Sequence, residues 1–85
     1  MSMEEQRASL LGANASGDEA AGLSNQAAAL AKQYGTALQQ ELAGSTQPEA
    51  QEALALAVRA EEALITGAFY LVEASSRVAA MAAKL

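Results

Sequence analysis

The stretch that decides the fold is Gly44-Ser45-Thr46-Gln47-Pro48-Glu49, which separates two long segments rich in Ala and Leu. Gly44 is placed where a left-handed C-terminal helix cap is expected. Thr46 to Glu49 fits an N-terminal capping box, with Pro48 in the first turn, where its missing amide costs nothing. Helices joined by so short a turn tend to pack antiparallel. The sequence therefore predicts an all-α, antiparallel helical hairpin.

Composition supports an all-helical fold. Ala is the best helix former and Leu, Gln, Glu and Lys rank close behind, whereas the chain has only three Val and one Ile. At 85 residues it is one small domain with a marginal core. Such domains usually gain stability from disulfides, a metal or a partner chain. The chain has no Cys and no His, so self-association or a bound partner is expected.

The N-terminal part predicts a break. Residues 3–11 suit a short helix, and residues 12–17 (Gly-Ala-Asn-Ala-Ser-Gly) suit a polar linker. Ser16 with Glu19 fits a capping box for a first long helix over about 18–43. Residues 1–17 are thus predicted to be an N-terminal segment and linker, and residues 18–85 the hairpin. The apolar stripe expected to face the second helix is Leu23, Ala27, Leu30, Tyr34, Leu38 and Leu42.

The second helix is predicted from about 48 to 85, a longer arm than the first. At 1.5 Å per residue the arms would span roughly 55 Å and 39 Å. Residues 75–85 would therefore project past the first arm and meet the N-terminal segment, a second chain or solvent.

Residues 63–72 of the second arm carry no charge, so every face of that helical stretch is apolar. A helix that is apolar all round should be buried all round, and one antiparallel neighbour covers one side only. The predicted partner-binding residues are Leu64, Ile65, Phe69, Tyr70, Leu71 and Val72. The alternative is that residues 3–11 fold back over this surface and complete a monomeric core.

Charge and residue content argue against several functions. A net charge of −5 disfavours binding to nucleic acid or anionic lipid. No run approaches the ~20 apolar residues that span a bilayer, and the acidic start lacks the pattern of a signal peptide. A cytoplasmic protein is expected, with export by a route that reads no cleaved signal as the alternative.

Catalytic and cofactor chemistry is also not expected. Glu61 and Glu62 are adjacent in a helix and point about 100° apart, so they do not face one substrate. Ser75 and Ser76 have no His to activate them. No metal cluster and no phosphate-binding glycine loop is present in the sequence. We therefore predict a non-enzymatic protein without a cofactor.

The turn and second arm resemble a known family. Glu41-Leu42-Ala43, Pro48-Glu49, Ala53-Leu54 and Arg59-Ala60 are similar in type and spacing to the needle-subunit co-chaperones of bacterial type III secretion, over about residues 38–72. The resemblance implies a cytoplasmic protein that joins a second, repeat-type chaperone and keeps the needle subunit from polymerising early.

Two other interpretations stay open. The needle subunit also has a Pro-containing turn and a long second helix that reaches the C-terminus. However, this chain has Ala60-Glu61-Glu62-Ala63 where needle subunits carry aromatic and polar residues. The third interpretation is an unrelated helical adaptor or coiled-coil module.

Overall fold

Two antiparallel helices make up the fold. The computed structural model describes residues 2–85, so Met1, the first residue of the predicted N-terminal segment, lies outside the described residues. Helix α1 runs Met3–Glu41 and helix α2 runs Pro48–Ala82, and the two pack along their lengths. The predicted all-α helical hairpin is confirmed.

The turn combines a confirmed and a wrong prediction. Gly44 has φ +80°, the left-handed conformation predicted for it. The capping box at Thr46 does not form, because Pro48 is the first helical residue and Gln47 therefore occupies the cap position, without a side-chain cap bond. Instead, the Gln47 amide donates to Ser45 Oγ at 3.2 Å within the turn.

Helix α1 is continuous through residues 12–17, so the predicted linker and the Ser16 capping box are wrong. The cap lies at Ser2, whose side chain accepts from the Glu5 amide at 3.1 Å. Gly12 and Gly17 each disfavour a helix by ~1 kcal/mol relative to Ala. Packing against α2 offsets this cost, and helices in proteins gain most of their stability from such packing.

The two arms are nearly equal, with 39 residues in α1 and 35 in α2, so the predicted longer second arm is also wrong. Residues 75–85 were expected to meet the N-terminal segment, a second chain or solvent. In the structure, the N-terminal segment lies beside them. The Arg7 guanidinium donates to Ala82 O at 3.2 Å and to Leu85 O at 2.6 Å. Arg7 thus binds the last carbonyl of α2, which also accepts from the Leu85 amide at 3.2 Å, and a carbonyl of the residues that follow the helix.

The contact between the helices, called the seam below, is a heptad repeat in which half of the residues are Ala, Gly or Ser. Its positions alternate in steps of three and four, as in a left-handed coiled coil. On α1 and its cap they are Arg7, Leu10, Asn14, Gly17, Ala21, Ser24, Ala28, Ala31, Gly35, Leu38 and Leu42. On α2 and the residues after it they are Ala50, Leu54, Ala57, Glu61, Leu64, Ala68, Leu71, Ser75, Val78, Ala82 and Leu85.

The residues that are buried in residues 2–85 are all Ala: Ala21, Ala28, Ala50, Ala57, Ala68 and Ala82. The predicted stripe on α1 is therefore wrong in part, because Leu23, Leu30 and Tyr34 are exposed and only Leu38 and Leu42 reach the seam. One residue turns the helix by 100°, so each four-residue step of this stripe ends about 40° past a full turn. Such a stripe drifts from the outer surface into the seam.

Polar bonds across the seam fix the register of the half opposite the turn. Ser24 Oγ donates to Leu64 O at 2.7 Å, and Asn14 Nδ2 donates to Ser75 O at 2.8 Å. Ser75 Oγ in turn donates to Asp18 Oδ1 at 2.9 Å. Because this end of the hairpin has no connecting turn, these bonds hold the helix ends together.

The molecule is a thin rod of 63 × 16 × 15 Å. Its radius of gyration of 19.0 Å exceeds the ~12 Å of a compact domain of this length. Its accessible surface of 6132 Å² exceeds by about 1,400 Å² the ~4,700 Å² of a compact protein of this mass. The hairpin thus leaves to solvent a surface that a compact protein of its size would bury.

Candidate protein-interaction faces

The seam divides the remaining surface into two flanks. One shallow groove is lined by Lys32 and Thr36 of α1 with Val58 of α2, and another by Leu11 of α1 with Val72 of α2. On both helices, each of these residues comes directly after a seam position in the sequence. The grooves therefore place the corresponding flanks of the two helices on the same side of the rod.

The first flank carries the phenylalanine face, which we define as Leu11 of α1 with Val58, Ile65, Phe69 and Val72 of α2. All five side chains are exposed, and Phe69 is 58% accessible. The α2 members are separated by steps of seven, four and three, so they lie in one line along the helix. Asp18 and Lys32 lie on the α1 side of the same flank.

The opposite flank carries the tyrosine face, which we define as Leu23, Leu30 and Tyr34 of α1 with Leu56 and Tyr70 of α2. Leu30 is 64% and Tyr70 65% accessible. On α1 the face follows its own three–four repeat: Ala20, Leu23, Ala27, Leu30, Tyr34 and Ala37. Helix α1 therefore carries two parallel heptad stripes, one in the seam and one facing outward.

The six predicted partner-binding residues do not form one surface. Leu64 and Leu71 are half-buried in the seam against α1, apart from the other four, and their binding to a partner stays a prediction. Ile65, Phe69 and Val72 lie together on the phenylalanine face, and Tyr70 lies on the tyrosine face. The Phe69 and Tyr70 rings meet edge to face at 5.9 Å, over the ridge between the two faces.

The alternative of a closed monomer is wrong for the described residues. Residues 3–11 continue α1 along the last turns of α2 instead of folding over residues 63–72. Ile65, Phe69 and Val72 consequently remain about half accessible or more. The stretch that the sequence marks as too apolar for a two-helix molecule is open on two sides.

Six exposed apolar residues of the two faces were not predicted to bind a partner: Leu11, Leu23, Leu30, Tyr34, Leu56 and Val58. Leu23, Leu30 and Tyr34 were assigned to the seam because steps of three and four residues keep them on one side of the helix. The signal that identifies them correctly is the second heptad repeat of Ala and Gly, which marks a closer helix contact than Leu and Tyr allow.

The acidic and hydroxyl residues considered for catalysis occupy structural positions. Glu61 is half-buried in the seam and Glu62 is exposed, so the two point in different directions. Ser75 bonds across the seam to Asp18. Glu73 and Arg77 form an ion pair one turn apart on α2, with 3.0 Å between Arg77 Nη1 and Glu73 Oε2.

Two further observations concern residues 2–85. The structure groups no three potential metal ligands among these residues. Neither of the two helices combines the length and the apolar character needed to cross a bilayer.

Comparison with known proteins does not assign the chain to a family, so its class is described from the structure. No family model, no curated protein and no solved structure matches the chain. The fold and the two faces define it as a two-helix hairpin with a small-residue seam and apolar outer flanks.

Proposed function

We propose that this chain is a non-enzymatic interaction protein whose phenylalanine face binds a helix of a protein partner. The proposal is supported by one observation above all. Six Ala form the buried core, while every large apolar residue of both faces is exposed. Side chains that contribute little to the hairpin itself are free to contribute to binding.

The shape of the phenylalanine face favours a helical partner. Val58, Ile65, Phe69 and Val72 extend over 14 residues, or about 21 Å of helix at 1.5 Å per residue. An amphipathic helix binds such a surface through anchors spaced at three, four and seven residues. The grooves beside Val58 and Val72 give those anchors a place between α1 and α2.

The particular role that we propose is that of a co-chaperone in type III secretion needle assembly. It is supported by the resemblance of residues 38–72 to that family and by the helical hairpin. In this role the chain joins a repeat-type chaperone and covers the needle subunit before assembly. The partner is then a helical protein, in agreement with the shape of the phenylalanine face.

A second candidate is a filament subunit of a secretion needle or similar assembly. It is favoured by the presence of two apolar faces on opposite flanks of one rod. Repeated contacts between unlike faces produce a filament when the rotation from one copy to the next does not close into a ring. If the chain binds neither the needle-assembly proteins nor further copies of itself, the remaining proposal is a helical adaptor unrelated to secretion.

The test of the co-chaperone role compares two Glu substitutions on α2. Phe69→Glu places a charge in the centre of the phenylalanine face. Thr66→Glu, three residues earlier on the outermost surface of the helix, adds the same charge outside both faces. Each chain is co-expressed with the needle subunit and the repeat-type chaperone of its own genome, and complexes are measured by size-exclusion chromatography with light scattering.

We expect a complex of defined mass with the unaltered chain and with Thr66→Glu, and a loss of at least ten-fold in affinity with Phe69→Glu. Equal affinity of both variants would assign binding to another surface. Mass that grows without limit as concentration rises would favour the filament subunit. A genome without needle genes would remove both secretion roles and leave the adaptor.

A further inference from the structure

Charge is unevenly distributed between the two flanks. The tyrosine face continues along both helices as a line of positions with the same three–four spacing. No residue on this line is charged between residues 9 and 37 of α1 or between residues 53 and 74 of α2. Charges occur on this line only at its ends. Glu41 and Glu49 lie beside the turn, and Arg77 and Lys84 lie at the open end. The face therefore has an apolar centre, an acidic end and a basic end, where Lys84 and Arg77 carry the positive charge and Arg77 also pairs with Glu73 of its own helix.

This arrangement is complementary to itself in one orientation. A two-fold axis perpendicular to the rod places the acidic end of one copy over the basic end of the other, twice. A parallel arrangement would place like charges together, which is unfavourable. We propose that the tyrosine face binds the same face of a second copy in antiparallel orientation, which forms a four-helix bundle.

The apolar centre fits the same axis. Ser24 is paired with Leu64 and Gly35 with Ala57 across the seam, which fixes the level of each α2 residue relative to α1. By this register the centre of the uncharged line is near Leu23, midway along the rod. A two-fold axis there brings Leu30 of one copy within about one helical turn of Tyr70 of the other.

The available area is sufficient for a stable dimer. One face of a rod of 63 by 16 Å covers about 1,000 Å², and standard interfaces bury ~800 Å² per partner. Alternation of Ala20 and Ala27 with Leu23 and Leu30 lets helices approach closely, as small and large residues interdigitate. Dimerisation would also cover much of the roughly 1,400 Å² by which the rod exceeds a compact protein.

This inference concerns the opposite flank from the proposed partner site and does not depend on it. The phenylalanine face stays open in the bundle, because the two faces lie on opposite sides of the seam. Failure of either proposal is therefore visible separately, through Phe69→Glu for the helical partner and through the tyrosine face for the second copy.

The first experiment is sedimentation equilibrium of the full chain over a concentration series, with helix content checked by circular dichroism. We expect a mass of twice 8.7 kDa for the unaltered chain. Leu30→Glu should raise the dissociation constant at least ten-fold. Gln33→Glu, on the outermost surface of α1, and Val72→Glu, on the phenylalanine face away from Tyr70, should change it less than two-fold. A monomer at millimolar concentration, open-ended growth, or a dimer lost with Val72→Glu instead of Leu30→Glu would overturn the proposal.

The second experiment tests orientation and does not rely on Leu30→Glu remaining folded. Changing Arg77 and Lys84 together to Glu, or Glu41 and Glu49 together to Lys, makes both ends alike in charge. Each half-reversed chain should dimerise about five-fold more weakly at low salt, as expected for exposed ion pairs. Reversing all four charges should restore the original affinity. If the half-reversed chains dimerise as well as the original, the antiparallel arrangement is wrong.

Discussion

The seam and the outer faces use opposite kinds of residue. In the seam, the best-buried residues are Ala, and Ala68 is only 3% accessible. On the outer faces, residues such as Tyr34 and Phe69 remain more than half accessible. Both sets follow a three–four repeat, so their spacing alone does not distinguish them.

The difference shows which contacts belong to the monomer and which are available to other chains. Small residues let two helices approach closely, but they bury little apolar area, and the hydrophobic contribution scales with area at ~25 cal/mol per Å². The large residues of the outer faces have the area but remain about half accessible or more. The hairpin therefore has a defined register between its two helices, while its large outer apolar side chains stay exposed.

The largest effect that separates the two regions is expected from added volume in the seam. Ala68→Leu should lower the free energy of unfolding by ~1–3 kcal/mol, because closely packed helices must move apart to admit the side chain. Ala55→Leu, on the exposed side of the same helix, should change it by less than ~0.5 kcal/mol. Urea unfolding at one fixed protein concentration measures both. Equal midpoints would contradict a close-packed seam.

A smaller effect is expected from the polar end of the seam. Arg7→Ala removes the bonds to Ala82 O and Leu85 O and should lower the free energy of unfolding by about 1–2 kcal/mol. Amide hydrogen exchange should accelerate in the last turn of α2. Arg59→Ala, at an exposed site on the outer surface, is the control and should leave both quantities unchanged. Unaltered exchange in Arg7→Ala would show that the N-terminal turn does not hold α2.

The smallest effects are expected from two glycines within α1. Gly12 faces open space, whereas a Cβ at Gly35 would lie 3.7 Å from Ala57 Cβ, an ordinary contact. Gly12→Ala and Gly35→Ala should each raise the free energy of unfolding by up to ~1 kcal/mol, since Ala favours the helix more than Gly does. Thermal unfolding followed by circular dichroism compares them. Destabilisation by Gly35→Ala alone would mean that the seam is tighter there than its contacts indicate.

Several features followed from local sequence. Ala and Leu content predicted helices, and Gly44 with Pro48 predicted the turn, because caps and turns depend on a few adjacent residues. The apolar stretch 63–72 correctly indicated that residues of α2 remain uncovered. The predicted break at 12–17 failed because glycine propensity acts locally, whereas the bonds of Arg7 and Asn14 to α2 involve residues more than 60 positions away.

The sequence by itself determined that this chain is helical, where it turns and that it has more apolar surface than two helices cover. Only the tertiary structure decided which stripe of α1 faces α2, and therefore that Leu64 and Leu71 are internal while Leu30 and Tyr34 are external. The reason is geometric. Two heptad stripes on one helix satisfy the same periodicity, and the choice between them depends on how closely the partner helix can approach.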